Sequence, residues 1–114
     1  MEMELKPVEA LKLWHDVVAT TVRDDGPDLS SRQMAILLTI YLSPPPHTVR
    51  GLAEGLNISK PAITRALDAL GRLELLKRKR DETDRRNVLV QRTVKGSVYL
   101  SDFADLISRR AKEL

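Results

Sequence analysis

The side chains of this chain best equipped for chemistry are cationic, and they are concentrated. Lys77, Arg78, Lys79 and Arg80 form an unbroken basic run, and Arg85 and Arg86 follow it after an acidic interruption. Upstream, Lys60, Thr64 and Arg65 recur at helical spacing. Guanidinium and ammonium groups at this density raise the local positive potential and suit a polyanionic partner. The plainer reading of the same run is a solvated basic hairpin.

The charge is local. The 114 residues hold 19 basic and 16 acidic side chains, a net of +3. Residues 1–47 have 4 basic and 7 acidic groups, residues 48–95 have 12 and 6, and residues 96–114 have 3 and 3. The hydrophobic fraction of 42% and charged fraction of 31% describe a globular domain rather than a disordered chain. With no cysteine, a disulfide scaffold, a thiolate zinc site and a cysteine redox sensor are excluded. The two histidines, His15 and His47, stand far apart without a ligand pattern, so neither a metal nor a cofactor is expected. No Gly-rich phosphate loop, nucleophile elbow or paired-carboxylate pattern points to an enzyme. No apolar run approaches the ~18 residues of a membrane span. The N-terminus carries Glu2 and Glu4 instead of a basic export signal, so the expected location is the cytoplasm.

The elements that must position the cations follow from periodicity. Leu5, Val8, Leu11, Trp14, Val18 and Val22, with Leu13 and Val17 beside them, predict a helix that starts near Pro7 and ends at Asp24-Asp25-Gly26-Pro27. A second helix starts near Leu29, with Ser30 or Ser31 as N-cap. Its run from Met34 to Leu42 is apolar on most sides, which predicts burial, and Pro44-Pro45-Pro46 stops it. Thr48 caps a short third helix that ends at Asn57, a residue tolerant of left-handed backbone. Ser59 caps a fourth, with Pro61 in its first turn. From Lys77 the period changes to two, and strands on either side of a polar tip at 81–87 predict a β-hairpin. Thr93 caps a last helix carrying Val94, Val98, Tyr99, Phe103, Leu106, Ile107 and Leu114.

This order, helices followed by a helix–turn–helix and a hairpin, predicts a mainly α winged helix–turn–helix with a β-hairpin wing. One domain spans 1–114: flanking helices at 1–24 and 94–114, helix–turn–helix at 48–73, wing at 75–93. Ala53 is small where two helices must approach closely, and Ile58, Ile63 and Leu67 fix their crossing. Lys60, Pro61, Thr64 and Arg65 then lie near the start of the second helix of the pair, the part that reaches base edges in a major groove.

The stretch from Arg78 to Arg86, with Val88-Leu89-Val90 and Thr93-Val94-Lys95-Gly96 after it, resembles the wing of the MarR (multiple antibiotic resistance regulator) family of bacterial transcription factors. There an Asp-x-x-Asp-Arg-Arg turn precedes a hydrophobic strand and a Thr-x-x-Gly helix start. The resemblance covers about residues 29–107. It implies a homodimer, joined through its N- and C-terminal helices, that represses or otherwise regulates transcription by binding double-stranded DNA at a pseudo-palindromic operator. It implies Arg85 in the minor groove, where negative potential is concentrated, and Arg86 paired with Asp81 or Asp84 or set against phosphate. Thr48, Arg50, Ser59, Lys77, Arg78 and Arg80 are the phosphate candidates. Members often bind small aromatic effectors between the dimer layer and the DNA-binding lobe; here Trp14, His15 and Tyr41 would line such a pocket. As plain residues, Trp14 reads as core or dimer interface and His15 as a polar neighbour. Members usually carry two C-terminal helices, whereas this sequence stops at Leu114, which predicts a short variant or a differently built dimer. The rival reading is a winged-helix protein–protein module whose basic wing meets an acidic protein surface, without direct DNA readout.

Overall fold

The computed structural model describes residues 4–114; Glu2 lies outside the described residues. Along the chain the elements are α1 (Pro7–Arg23), α2 (Ser31–Leu42), β1 (His47–Thr48), α3 (Val49–Leu56), α4 (Lys60–Arg72), β2 (Leu76–Arg80), β3 (Val88–Arg92) and α5 (Val94–Lys112). The fold is the expected winged helix–turn–helix, with one strand the sequence did not announce. β1 pairs antiparallel with β3, His47 opposite Val90 and Thr48 opposite Leu89, giving a three-stranded sheet of order β1-β3-β2. Two residues are too few for a period-two signal, so only the partner strand defines β1.

Each helix start is fixed by a local hydrogen bond. The Glu9 carboxylate accepts from the Lys6 backbone N–H at 3.2 Å, ahead of Pro7. Ser30 and Gln33 bond reciprocally at 3.1 and 2.9 Å, so Ser30, not Ser31, is the N-cap of α2. Thr48 accepts from the Gly51 N–H at 2.9 Å, Ser59 from the Ala62 N–H at 3.3 Å, and Thr93 from the Gly96 N–H at 3.0 Å.

Two helix ends use left-handed residues. Asn57 has φ 52° and ψ 48°, as its type suggests. Glu74 has φ 62°, and around it the Leu75 N–H reaches the Leu70 carbonyl and the Glu74 N–H reaches the Gly71 carbonyl. This is a Schellman ending with glutamate in the place glycine normally takes. A Cβ in left-handed backbone is strained, so Glu74→Gly should raise stability by about 1 kcal/mol. Urea denaturation checks this, and an unchanged or lower midpoint would count against the assignment.

The chain divides into two compact units. The unit Leu29–Tyr99 holds α2, the helix–turn–helix and the sheet. Ile36, Leu37 and Ile40 of α2, Ile63, Leu67 and Leu70 of α4, and Leu75 and Leu76 beside them are essentially inaccessible, with Leu52 and Val90 close behind. Burying each such side chain contributes roughly 1.5–3 kcal/mol relative to exposure. Leu42, read as part of the buried run, is instead 79% exposed at the end of α2. The other unit holds the residues up to Asp28 with Leu100–Leu114. Val17 and Leu106 are its buried residues. The predicted stripe of α1 faces outward: Val8, Leu11, Trp14, Val18 and Val22 are all exposed.

Candidate nucleic-acid interface

The first turn of α4 is built by division of labour around the helix. Ala62, Ile63, Ala66, Leu67 and Leu70 are buried on one side. The same spacing leaves Lys60, Pro61, Thr64 and Arg65 exposed on the other. Ala53, buried on α3, is small enough to let the helix pair close. The Ser59 hydroxyl accepts from the helix and keeps its own O–H to donate, as does the hydroxyl of Thr48, the N-cap of α3. Arg50, in the first turn of α3, is exposed.

The wing is a regular antiparallel ladder from Leu76 opposite Arg92 to Arg80 opposite Val88. Leu76 points to the core and Lys77, Arg78, Lys79 and Arg80 are exposed. The turn closes through the Asp81 N–H on the Asn87 carbonyl at 3.1 Å and the Asn87 N–H on the Asp84 carbonyl at 2.9 Å. Asp81 and Asp84 divide the roles that the sequence left shared. The Asp84 carboxylate accepts from the Arg86 Nε at 3.1 Å and from the Arg86 backbone N–H at 3.2 Å. Among the described residues Asp81 does not pair with an arginine. Its carboxylate accepts from the Thr83 hydroxyl at 2.7 Å and the Thr83 N–H at 2.9 Å, forming a local turn of its own. Those bonds hold both carboxyls below the ordinary aspartate value: the Arg86 side chain first for Asp84, the Thr83 hydroxyl first for Asp81. Both therefore stay ionised at neutral pH. Both tip arginines are exposed; Arg86 is paired with Asp84, whereas Arg85 has no carboxylate partner among the described residues.

Two further arginines of the basic segment are already engaged within the fold. Arg78, expected against phosphate, has its Nη2 2.7 Å from the Asp68 carboxylate of α4. Arg92 donates from Nε to the Ile40 carbonyl at 3.0 Å and from Nη2 to the Ser43 carbonyl at 2.9 Å, capping the end of α2. Its guanidinium also lies 5.7 Å from the Tyr41 ring centroid. The sequence reading singled out neither Asp68 nor Arg92. Asp68 follows Thr64 by one helical turn, which was a usable signal; Arg92 offered none, because its partners are backbone carbonyls.

The proposed effector residues are placed as follows. Trp14 is 59% exposed on α1, and the His15 Nδ1 lies 3.0 Å from the Asp16 carboxylate, which also takes the Lys12 ammonium at 2.7 Å. Tyr41 lies on α2, and its hydroxyl is committed internally: it donates to the Leu75 carbonyl at 2.8 Å and accepts from the Thr93 N–H at 2.9 Å. Among the described residues no three His, Cys, Asp or Glu side chains are grouped as a metal site requires. No helix among them is long and apolar enough to cross a membrane.

Comparison with known proteins agrees with this fold. The MarR family model matches residues 29–88. Among solved structures, the chain is similar to an S. aureus MepR variant bound to an oligodeoxyribonucleotide, with 18% identity over 93% of this chain and 75% of that one and a TM-score of 0.80. It is similar to a transcriptional regulator from Thermotoga maritima, with 23% identity over 91% and 68% of the two chains and a TM-score of 0.66. It is also similar to CouR, a transcriptional repressor bound to a 23-mer DNA duplex, with 26% identity over 97% and 84% and a TM-score of 0.71. No curated protein sequence matches the chain. The family match covers more than half of the residues and contains the capped helix pair and most of the arginine-bearing wing, so this chain belongs to the MarR family.

Proposed function

We propose that this DNA-binding transcription regulator acts in the cytoplasm as a homodimeric repressor on a pseudo-palindromic duplex. Its half-sites would be centred about one helical turn apart. The observation that carries the reading is the pair of exposed cationic ends: Lys60, Thr64 and Arg65 at the start of α4, and Arg85 at the wing tip. The first set reads base edges in the major groove, and Arg85 enters the adjoining minor groove. Thr48, Arg50, Ser59, Lys77 and Arg80 bind phosphates and set the register. The outward apolar stripe of α1 supports the dimer, because five large apolar side chains on one helix face gain by leaving water. Repression is the reading that CouR, a repressor in its DNA complex, favours.

The test is a titration of a duplex selected from random sequence, at fixed salt, with the mass of the free protein measured alongside. Arg85→Ala should weaken binding by roughly 1–3 kcal/mol, the effect of losing one specific contact. Unchanged affinity would remove Arg85 from the interface. A mass of one chain would overturn the dimer.

A further inference from the structure

The Asp68–Arg78 pair is poorly explained by stability. Both side chains are partly exposed, at 45% and 35%, and such pairs contribute about 0–1 kcal/mol. Its placement is more informative. Asp68 lies on α4 one turn beyond Thr64 and next in the row that starts at Lys60. An uncompensated carboxylate there would repel the phosphates that the same helix face meets. Arg78 reaches it from β2, so the pair joins the base-reading helix to the wing strand. The closest contact is Nη2 to Oδ1, and a guanidinium carries five N–H donors, so one carboxylate contact does not exhaust it. Around the pair, Arg72 and Lys77 line the same cleft and have no carboxylate partner among the described residues. One acid among three bases leaves the cleft cationic.

We infer that Asp68 is a positioning residue: it fixes the Arg78 guanidinium so that its remaining N–H groups clamp one DNA phosphate between α4 and β2. A guanidinium can do this because its five donors form a rigid fork, so a carboxylate can hold one corner while a phosphate takes another. A mobile arginine would have to lose its rotamer freedom on binding DNA, and the pairing with Asp68 restricts this one beforehand. The inference rests on the DNA-binding reading above.

The experiment measures affinity and its salt dependence on a random-sequence duplex for the full chain, Asp68→Asn, Arg78→Met, the double variant and Arg78→Lys. Simple electrostatics says that removing an acid beside a polyanion strengthens binding. Positioning gives the opposite sign: Asp68→Asn should weaken binding about tenfold, in the range of losing one charged hydrogen bond. The loss should vanish when Arg78 is already methionine, and Arg78→Met should reduce the salt slope by about two, about one for each protomer on the duplex. Arg78→Lys keeps the charge without the fork and should also bind less tightly, a readout that survives if Asp68→Asn fails to fold. Equal or tighter binding by Asp68→Asn, or an unchanged loss in the Arg78→Met background, overturns the inference while leaving the DNA-binding reading intact. If the unaltered chain fails to bind any duplex, both fall together.

Discussion

Gly96→Ala should destabilise the protein by about 3 kcal/mol, the upper end of what overpacking ordinarily costs. The expected sign runs against helix propensity, since alanine is favoured over glycine inside a helix by about 1 kcal/mol. The reason is local crowding. A Cβ built on Gly96 overlaps the Tyr41 hydroxyl and the Leu75 carbonyl oxygen. Neither is the loose end of a flexible side chain. The hydroxyl is held by the Leu75 carbonyl and the Thr93 N–H, and the Thr93 hydroxyl in turn donates to the Glu74 carbonyl at 2.8 Å. Making room means breaking the junction where α2, the end of α4 and the start of α5 meet. Domains have only about 5–15 kcal/mol in total, so the loss would show as a much lower urea midpoint. Tyr41→Phe removes the obstructing oxygen, so the double variant should lose less than the two single losses added. A stabilised Gly96→Ala protein would refute the account. The same crowding explains the Thr-x-x-Gly pattern at Thr93: threonine caps the helix, and glycine lets its first turn approach Tyr41.

Affinity for duplex DNA should fall by several orders of magnitude over a modest rise in salt. With the proposed phosphate contacts of Arg50, Lys77, Arg78 and Arg80 from each of two protomers, the complex would join proteins making roughly six to ten phosphate contacts, which lose about 10³–10⁵-fold in affinity between roughly 50 and 200 mM salt. The cause is the release of counterions condensed on the duplex, whose entropic gain shrinks as bulk salt rises. Arg92 does not join this count, because the α2 carbonyls hold its guanidinium. A plot of log affinity against log salt therefore reads the number of engaged cations directly. A slope half as steep would indicate one protomer on the DNA. A flat plot would favour the rival in which the basic wing docks on a protein.

The short-range parts of this fold were legible before any coordinates. Ser30, Thr48, Ser59 and Thr93 cap the helices that their positions in the sequence announced. Asn57 takes the left-handed turn, and the change of period after Leu76 becomes the wing. Each depends on residues within a few positions of one another, where composition and spacing suffice. The apolar stripe of α1 was legible as a stripe, but its outward direction was not, because periodicity gives a face and not its neighbour.

The sequence by itself determined the family, the capped helix pair and which cations lie at the wing and the α4 start. Tertiary structure decided which groups those cations meet within the fold. It took Arg92 out of the basic set by placing two carbonyls within its reach, and set Arg78 against Asp68. It gave Asp84 rather than Asp81 the wing arginine, added β1, and turned Gly96 from a weak helix residue into a required one. Most of these rest on groups far apart in the chain, such as Tyr41 and Thr93, that only the packed core brings within bonding distance. A one-dimensional pattern records what a residue can do; which of several partners it meets is fixed when the whole chain closes around the core.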